Sequence, residues 1–387
     1  MKILFIHDHL FLGGAAKAAL RMRRLCEALG HETLCLHGDE ATLSGTASLS
    51  LHGKPRGLGK LWEKLAGSGA RARLRQARAE KKFREILERG GFDGVWFQNI
   101  AGAAKWGWSD AWVEAALQCS KVMITLHDMH YLGVGQPYVW DQPVEPSLFA
   151  GLAPSRVQDW VRQGRLRLNA CSLWLGRLCG ELYGLPCGQL PVPLREDDFH
   201  PGARTRSSPA GTEILVAAEH LGDPRKNILP TLEVLLHHGL LERSNARVLC
   251  LGRNLPERFR HPRIVALGHA EDSPKYRAVY DQVDFLLHPS LADNFPLLIQ
   301  ESLAQGRPVV ALDRGGVGEL VISGQTGNLL PGLTPSDLGQ VLLQWMRMDE
   351  NAYRELSGRC LGFAKKQFFS NEVAGRYREA LEEWQNA

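Results

Sequence analysis

The sequence contains no run of eighteen apolar residues, and the N-terminal MKILFIHDH meets charge before a signal-peptide core could form. A membrane-spanning helix and secretion are therefore not expected, and a cytoplasmic location is. Its eight cysteines show no CxxC spacing; Cys171, Cys179 and Cys187 recur every eight residues. That interval suits neither a zinc site nor a compact disulfide framework, so free thiols in a reducing compartment are expected. There is no Walker sequence, GxSxG elbow or DxD-like metal clamp, which leaves kinase and hydrolase readings without support. Tandem repeats and low-complexity segments are also lacking. Extended disorder is not expected of a chain with 44% apolar and 23% charged residues.

What is present is length, alternation and an uneven charge. At 387 residues the chain exceeds one ordinary core and implies two domains. Of the net charge of +4, the segment 54–89 holds +8, from twelve Lys or Arg against four Glu, so the remainder is −4. Such a segment fits an anionic membrane surface, with Trp62, Leu65 and Leu74 as apolar contacts, and equally a solvated helix face. No nucleic-acid-binding module is recognisable, so nucleic acid is not an expected partner.

KILFIH, then Gly13-Gly14, then AAKAALRMRRLCEALG forms a strand, glycine loop and helix. TLCLHG, GVWFQNI, KVMITLHD and RLNACS continue the alternation, which predicts a parallel sheet covered by helices. PVPLREDDFHPGARTRSSPAGTE has four prolines and no periodicity and reads as a linker. The pattern restarts with EILVAAE, RVLCLG, IVALGH, DFLLHPS, LLIQESLAQG and PVVALD. The expected fold is α/β: two Rossmann-like, doubly wound domains, 1–200 and 213–367, joined by a linker at 201–212 and facing a cleft.

Four stretches stand where strand-end loops carry chemistry. Gly13 and Gly14 let backbone N–H groups approach a phosphate, or serve a structural turn. DPRKNILP sets Arg225 and Lys226 where cations neutralise a departing diphosphate, or decorate a helix start. In DNFPLLIQES, Pro296 suits a first helical turn with Asp293, Asn294 or Phe295 near the cap. There Asp293 caps the helix and Glu301 is an exposed acid, or the free N–H groups at 294–297 and Asp293 hold hydroxyls or phosphate while Glu301 reaches a ribose. KVMITLHDMHYLG places His127 and Asp128 past a buried strand, for hydrogen bonding or proton transfer. Metal binding by its HxxH together with His7 and His9 is the minor alternative.

Together these stretches resemble the retaining GT-B glycosyltransferases of family 4 over nearly the whole chain. TLHDMHYLG is similar to a TLHDMW segment of the branch associated with bacterial polysaccharide and lipopolysaccharide assembly, DPRKNI to a diphosphate-binding RKG loop, and LPVPLREDDFHP to the linker-proximal IPNGxDxxxFxP pattern. HPSLADNFPLLIQESLAQGRPVVALDRGGVGELV follows the EGFGLxxLEAMAxGxPVVAxxxGGxxE signature. The resemblance implies transfer of a sugar from a nucleotide-diphosphate sugar to a glycan or lipid-linked hydroxyl, without metal or cofactor. It implies that the first domain binds acceptor and the second donor, and that 368–387 is a helix crossing back to the first. His127, Lys226 and Asp293 would be catalytic. Gly13, Gly14, Arg225, Asn294, Phe295, Pro296, Leu297, Glu301 and Glu319 would bind donor, with Asp293 at the sugar and Glu301 at the ribose. Four departures accompany it: Asp for Glu at 293, no Arg a few residues before Lys226, PVP for PNG, and GGVGE ending at Glu319. A sugar-nucleotide-binding scaffold and a GT-B-fold nucleotide-sugar epimerase are the alternative readings.

Overall fold

A computed structural model of the chain describes residues 1–9, 13–38, 48–50, 68–99, 111–133, 138–140, 152–199, 204–206, 211–269 and 278–386. Contacts divide it into two units, Met1–Pro193 with Ala374–Ala387, and Leu194–Val373.

Among the described residues of the first unit, seven parallel strands run in the order β3-β2-β1-β4-β5-β6-β7. They are β1 (Lys2–His7), β2 (Glu32–His37), β3 (Ser48–Ser50), β4 (Gly94–Phe97), β5 (Lys121–Leu126), β6 (Leu166–Ala170) and β7 (Gly188–Gln189). Among the described residues its helices are α1 (Gly13–Ala28), α2 (Ser68–Gly90), α3 (Ala111–Cys119), α4 (Pro154–Arg162) and α5 (Leu173–Tyr183). KILFIH and KVMITL are buried from their second residue onward, as expected of strands with both faces covered. The order turns back between β1 and β4, so the loops leaving these neighbours diverge and open a crevice at their carboxyl ends.

The second unit repeats the plan with six parallel strands in the order β10-β9-β8-β11-β12-β13: β8 (Thr212–His220), β9 (Ala246–Arg253), β10 (Ile264–Gly268), β11 (Phe285–His288), β12 (Val309–Leu312) and β13 (Gly327–Leu330). Its helices are α6 (Ile228–His237), α7 (Leu240–Arg243), α8 (Leu297–Ala304), α9 (Pro335–Arg347) and α10 (Glu350–Phe368). Here the turning point lies between β8 and β11. FLLH and VVAL are buried throughout.

The last helix, α11 (Ser370–Asn386), packs from residue 374 onward in the first unit. Trp384 lies on Gly94, where any Cβ would stand 2.3 Å from the indole, so only glycine permits this contact. The Tyr377 hydroxyl donates to the Pro191 carbonyl (3.0 Å) and Arg167 pairs with Glu383 (2.6 Å).

The boundary at Leu194 precedes the residue 200 expected from sequence. The reason is a parallel bridge: Leu194 N–H donates to the Phe368 carbonyl (2.7 Å) and the Leu194 carbonyl accepts from Ser370 N–H (2.8 Å). Phe199 stacks on Phe369 besides. Of the expected linker 201–212, residues 201–203 and 207–210 lie outside the described residues. Arg204 donates to Gln305 (3.2 Å) and Arg206 to the Met348 carbonyl (3.0 Å), which ties both to the second unit. Within the basic segment, 54–67, including Trp62 and Leu65, lies outside the described residues, as does the side chain of Leu74.

Candidate functional site

The second unit assembles its site from the two loops at the turning point of its sheet. After β8, Asp223 accepts the Arg225 N–H (2.9 Å) and so caps a short 3-10 turn, Pro224–Lys226. Asn227 then adopts a left-handed conformation (φ 53°) that ends the turn and starts α6. This αL position suits Asn among non-glycine residues. The turn is stitched to the loop after β11: the Arg225 carbonyl accepts from Leu291 N–H (2.8 Å), and Arg225 Nη1 donates to the Ala292 carbonyl (3.0 Å).

The stitching brings Lys226 to Asp293. Lys226 Nζ donates to Asp293 Oδ2 at 2.6 Å, Arg225 stands 3.5 Å away, and His288 Nε2 lies 3.2 Å from the same oxygen. Burial raises the Asp293 pKa, but Lys226 foremost, then His288 and Arg225, outweigh it and hold the carboxyl well below its usual range. It is therefore a buried, ionised acid. The backbone is fixed as well: Gly316 N–H donates to the Asp293 carbonyl (3.0 Å). Gly315 (φ 62°) approaches so closely that a Cβ there would stand 2.1 Å from that carbonyl oxygen. This is the physical use of the glycine pair in DRGGVGE.

Two of the local expectations for this stretch are corrected. Pro296 is the N-cap of α8, not a residue of its first turn, and no side chain caps the helix. Asp293 turns to Lys226 because a buried carboxylate gains more from a cation than from exposed amides. Glu301, eight residues beyond, is 9% exposed and not a surface acid. Asn294 is buried, and Asn294, Phe295 and Pro296 lead into α8, which begins at Leu297 and leaves its first N–H groups without intrahelical acceptors. Glu319 closes the 3-10 turn after Gly315-Gly316.

In the first unit the corresponding turning point gathers histidines. His127, past β5, bonds through Nε2 to Gln98 Oε1 (2.7 Å), past β4, and its Nδ1 lies 3.6 Å from Cys171 Sγ, past β6. The His7 ring, ending β1, is 6.4 Å away, and its Nδ1 accepts the His9 N–H (3.0 Å). Burial, with repulsion from His127 and His9, lowers the His7 pKa to about 3; burial lowers that of His127 to about 4. Both rings are neutral at neutral pH. Asp128 accepts from His130 N–H (2.9 Å) and Asn99 Nδ2 (3.2 Å), which fixes the turn Met129–Leu132. Burial pushes the Cys171 thiol up to about 12, which makes it a packing partner of His127 and a poor nucleophile. Gly13 opens α1 with φ 85°, while neither it nor Gly14 has a heavy atom near a would-be Cβ. Gly13 is thus required by backbone conformation. Residues 10–12 lie outside the described residues.

No group of three or more His, Cys, Asp and Glu stands ready to hold a metal among the described residues, His7, His9 and His127 included. Sequence reading missed His288 and Gln98. Their only signal is place: each lies at or just past the carboxyl end of a strand that borders a turning point.

Residues 212–348 match the family model described as glycosyl transferases group 1. Over 218 residues the chain is 25% identical to a colanic acid biosynthesis glycosyltransferase, WcaL, of Salmonella typhimurium, covering 52% of each chain. It thus spans about half the length of the curated relatives it matches first. Among solved structures, a glycosyltransferase of Rickettsia africae superposes with a TM-score of 0.71 at 16% identity, over 99% of this chain and 98% of that one. HepE of Anabaena in complex with UDP and glucose gives 0.67 at 15%, over 99% of both. Residues 212–348 therefore form a domain of the glycosyl transferases group 1 family, in a chain with the GT-B fold of two parallel-sheet α/β units.

Proposed function

We propose that the protein is a retaining, metal-independent glycosyltransferase of family 4. In this reading it moves a hexose-type sugar from a nucleotide-diphosphate sugar to a hydroxyl of a glycan or glycolipid in cell-surface polysaccharide synthesis. The observation that carries the proposal is the convergence of Lys226 and Arg225 on Asp293 at the turning point of the second sheet. Two cations beside the loop that leads into the N-terminus of α8 suit a diphosphate, and an ionised acid within the same cluster suits sugar hydroxyls. The structural neighbour HepE of Anabaena, solved with UDP and with UDP-glucose, supports a ligand of this class.

The bond between the anomeric carbon and the diphosphate oxygen breaks as the acceptor oxygen attacks the same face. The acceptor's proton passes to the departing diphosphate, whose charge Lys226, Arg225 and the backbone N–H groups of Asn294, Phe295 and Leu297 stabilise, Pro296 having none to give. Glu301 holds the ribose and Glu319 supports the donor, while Gly13 and Gly14 suit the approach of a phosphate to the first unit. His127, neutral and fixed by Gln98, is suited to act as a hydrogen-bonding group for a sugar hydroxyl and not as an acid.

The test is a thermal-shift panel of nucleotide diphosphates and nucleotide sugars against wild type and Glu301→Ala. A ligand at a hundred times its dissociation constant stabilises by about 2.7 kcal/mol. A selective shift for one nucleotide sugar, lost in the variant, is expected. Donor binding without turnover on any acceptor would assign a scaffold, and product formation from donor alone an epimerase. Residues 54–89 would dock the enzyme on the anionic inner face of the cell membrane. Flotation with anionic liposomes, abolished by salt, is the expected result, and absence of binding removes this part of the proposal.

A further inference from the structure

The two oxygens of the Asp293 carboxylate are treated differently. Lys226 Nζ, His288 Nε2 and Arg225 Nη1 all converge on Oδ2, at 2.6, 3.2 and 3.5 Å. Oδ1 forms no hydrogen bond among the described residues. Two of the three groups on Oδ2 are cations of the proposed diphosphate site; the third, His288, is not.

His288 is 2% exposed, and its backbone is fixed at the end of β11 by parallel pairing with Ala311 of β12. An ionised carboxylate only accepts, so the His288 ring must present Nε2–H to it. Burial lowers its pKa despite the pull of Asp293, with Lys226 and Arg225 adding to the lowering. The ring therefore donates a hydrogen bond while adding no positive charge beside the two cations. Its bond survives what a phosphate does to Lys226: a diphosphate that draws Nζ toward itself loosens the 2.6 Å contact, and His288 has no reason to follow.

We infer that His288 is a positioning residue for donor-sugar recognition. It anchors Oδ2 while Lys226 turns to the diphosphate, and so keeps Oδ1 directed at a hydroxyl of the donor sugar. The inference rests on the glycosyltransferase reading and adds to it a residue that neither acid nor cation replaces.

The experiment compares nucleoside diphosphate with the corresponding nucleotide sugar, by calorimetry, on wild type, His288→Phe and His288→Gln. Phenylalanine fills the buried volume without a donor; glutamine places an amide N–H near the position of Nε2. Affinity for the nucleotide sugar is expected to fall about tenfold in the Phe variant, the size of one lost charge-assisted hydrogen bond. Affinity for the diphosphate should be unchanged, and the Gln variant should recover most of the difference. If His288→Phe does not fold, His288→Asn, whose amide is too short to reach, provides the same comparison. Equal loss for both ligands, no loss for either, or no recovery with glutamine overturns the inference and leaves the glycosyltransferase reading standing. A wild type that binds none of the nucleotide sugars overturns that reading, and this inference with it.

Discussion

The two turning points of the two sheets carry buried titratable residues in opposite electrical states. In the first unit burial lowers the pKa of His7 and His127, and both rings stay neutral. In the second, Asp293 is buried with Lys226 and Arg225 and stays charged. Burial penalises charge in both, and in the second the cations that arrive from another loop outweigh it. A neutral ring offers hydrogen bonds without charge; an ionised carboxylate holds its cations by charge as well.

The largest effect that separates them is acid sensitivity. A histidine whose folded pKa is lowered binds fewer protons than in the unfolded chain, so stability falls as pH drops below the unfolded value of about 6.5. For His7 and His127 the loss continues to about pH 3 and 4, at about 1.4 kcal/mol per pH unit each. His288, also lowered, adds a loss of the same sign. Asp293, depressed, keeps its contribution until pH falls below its unfolded value of about 3.9. Urea denaturation from pH 7 to 4.5 should therefore show a steep decline, flattened by His127→Gln and unaffected by Asp293→Asn. The reverse pattern would show that the first site is charged.

Next in size is the ion pair. Lys226→Met leaves Asp293 with Arg225 at 3.5 Å and His288, and a loss of about 3 kcal/mol is expected, at the lower end for a broken buried pair. The double variant Lys226→Met with Asp293→Leu should regain most of it in the same denaturation assay, because no uncompensated charge remains. Smaller is Gln98→Leu, which removes the 2.7 Å partner of His127. A neutral bond of this kind contributes about 1 kcal/mol. The His127 ring resonances, followed by NMR, should broaden as the imidazole loses its anchor. A Gln98 effect larger than that of Lys226 would invert the comparison.

Much of this was legible in the residues. DFLLHPS and KVMITLHD read as buried strands because apolar runs of that length suit a sheet covered on both faces, and the loops after them are where a parallel sheet offers side chains to a ligand. The two alternatives for Asp293, cap or ligand-binding acid, share one local sequence, and local sequence does not separate them. His288 was passed over because a histidine at a strand end is unremarkable until its partner is known. The early boundary at Leu194 depended on Phe368 and Ser370, which no pattern around residue 194 announces.

The sequence by itself determined what depends on neighbours along the chain: strand, helix and glycine turn, their alternation, and hence two parallel sheets with loops at their carboxyl ends. Tertiary structure alone decided the electrostatics, since the deciding contacts join residues far apart. Lys226 reaches Asp293 across 67 positions, His127 reaches Gln98 across 29 and Cys171 across 44, and Arg167 reaches Glu383 across 216. Whether a buried group keeps its charge depends on what stands within a few ångströms of it, and only the folded chain brings those groups together.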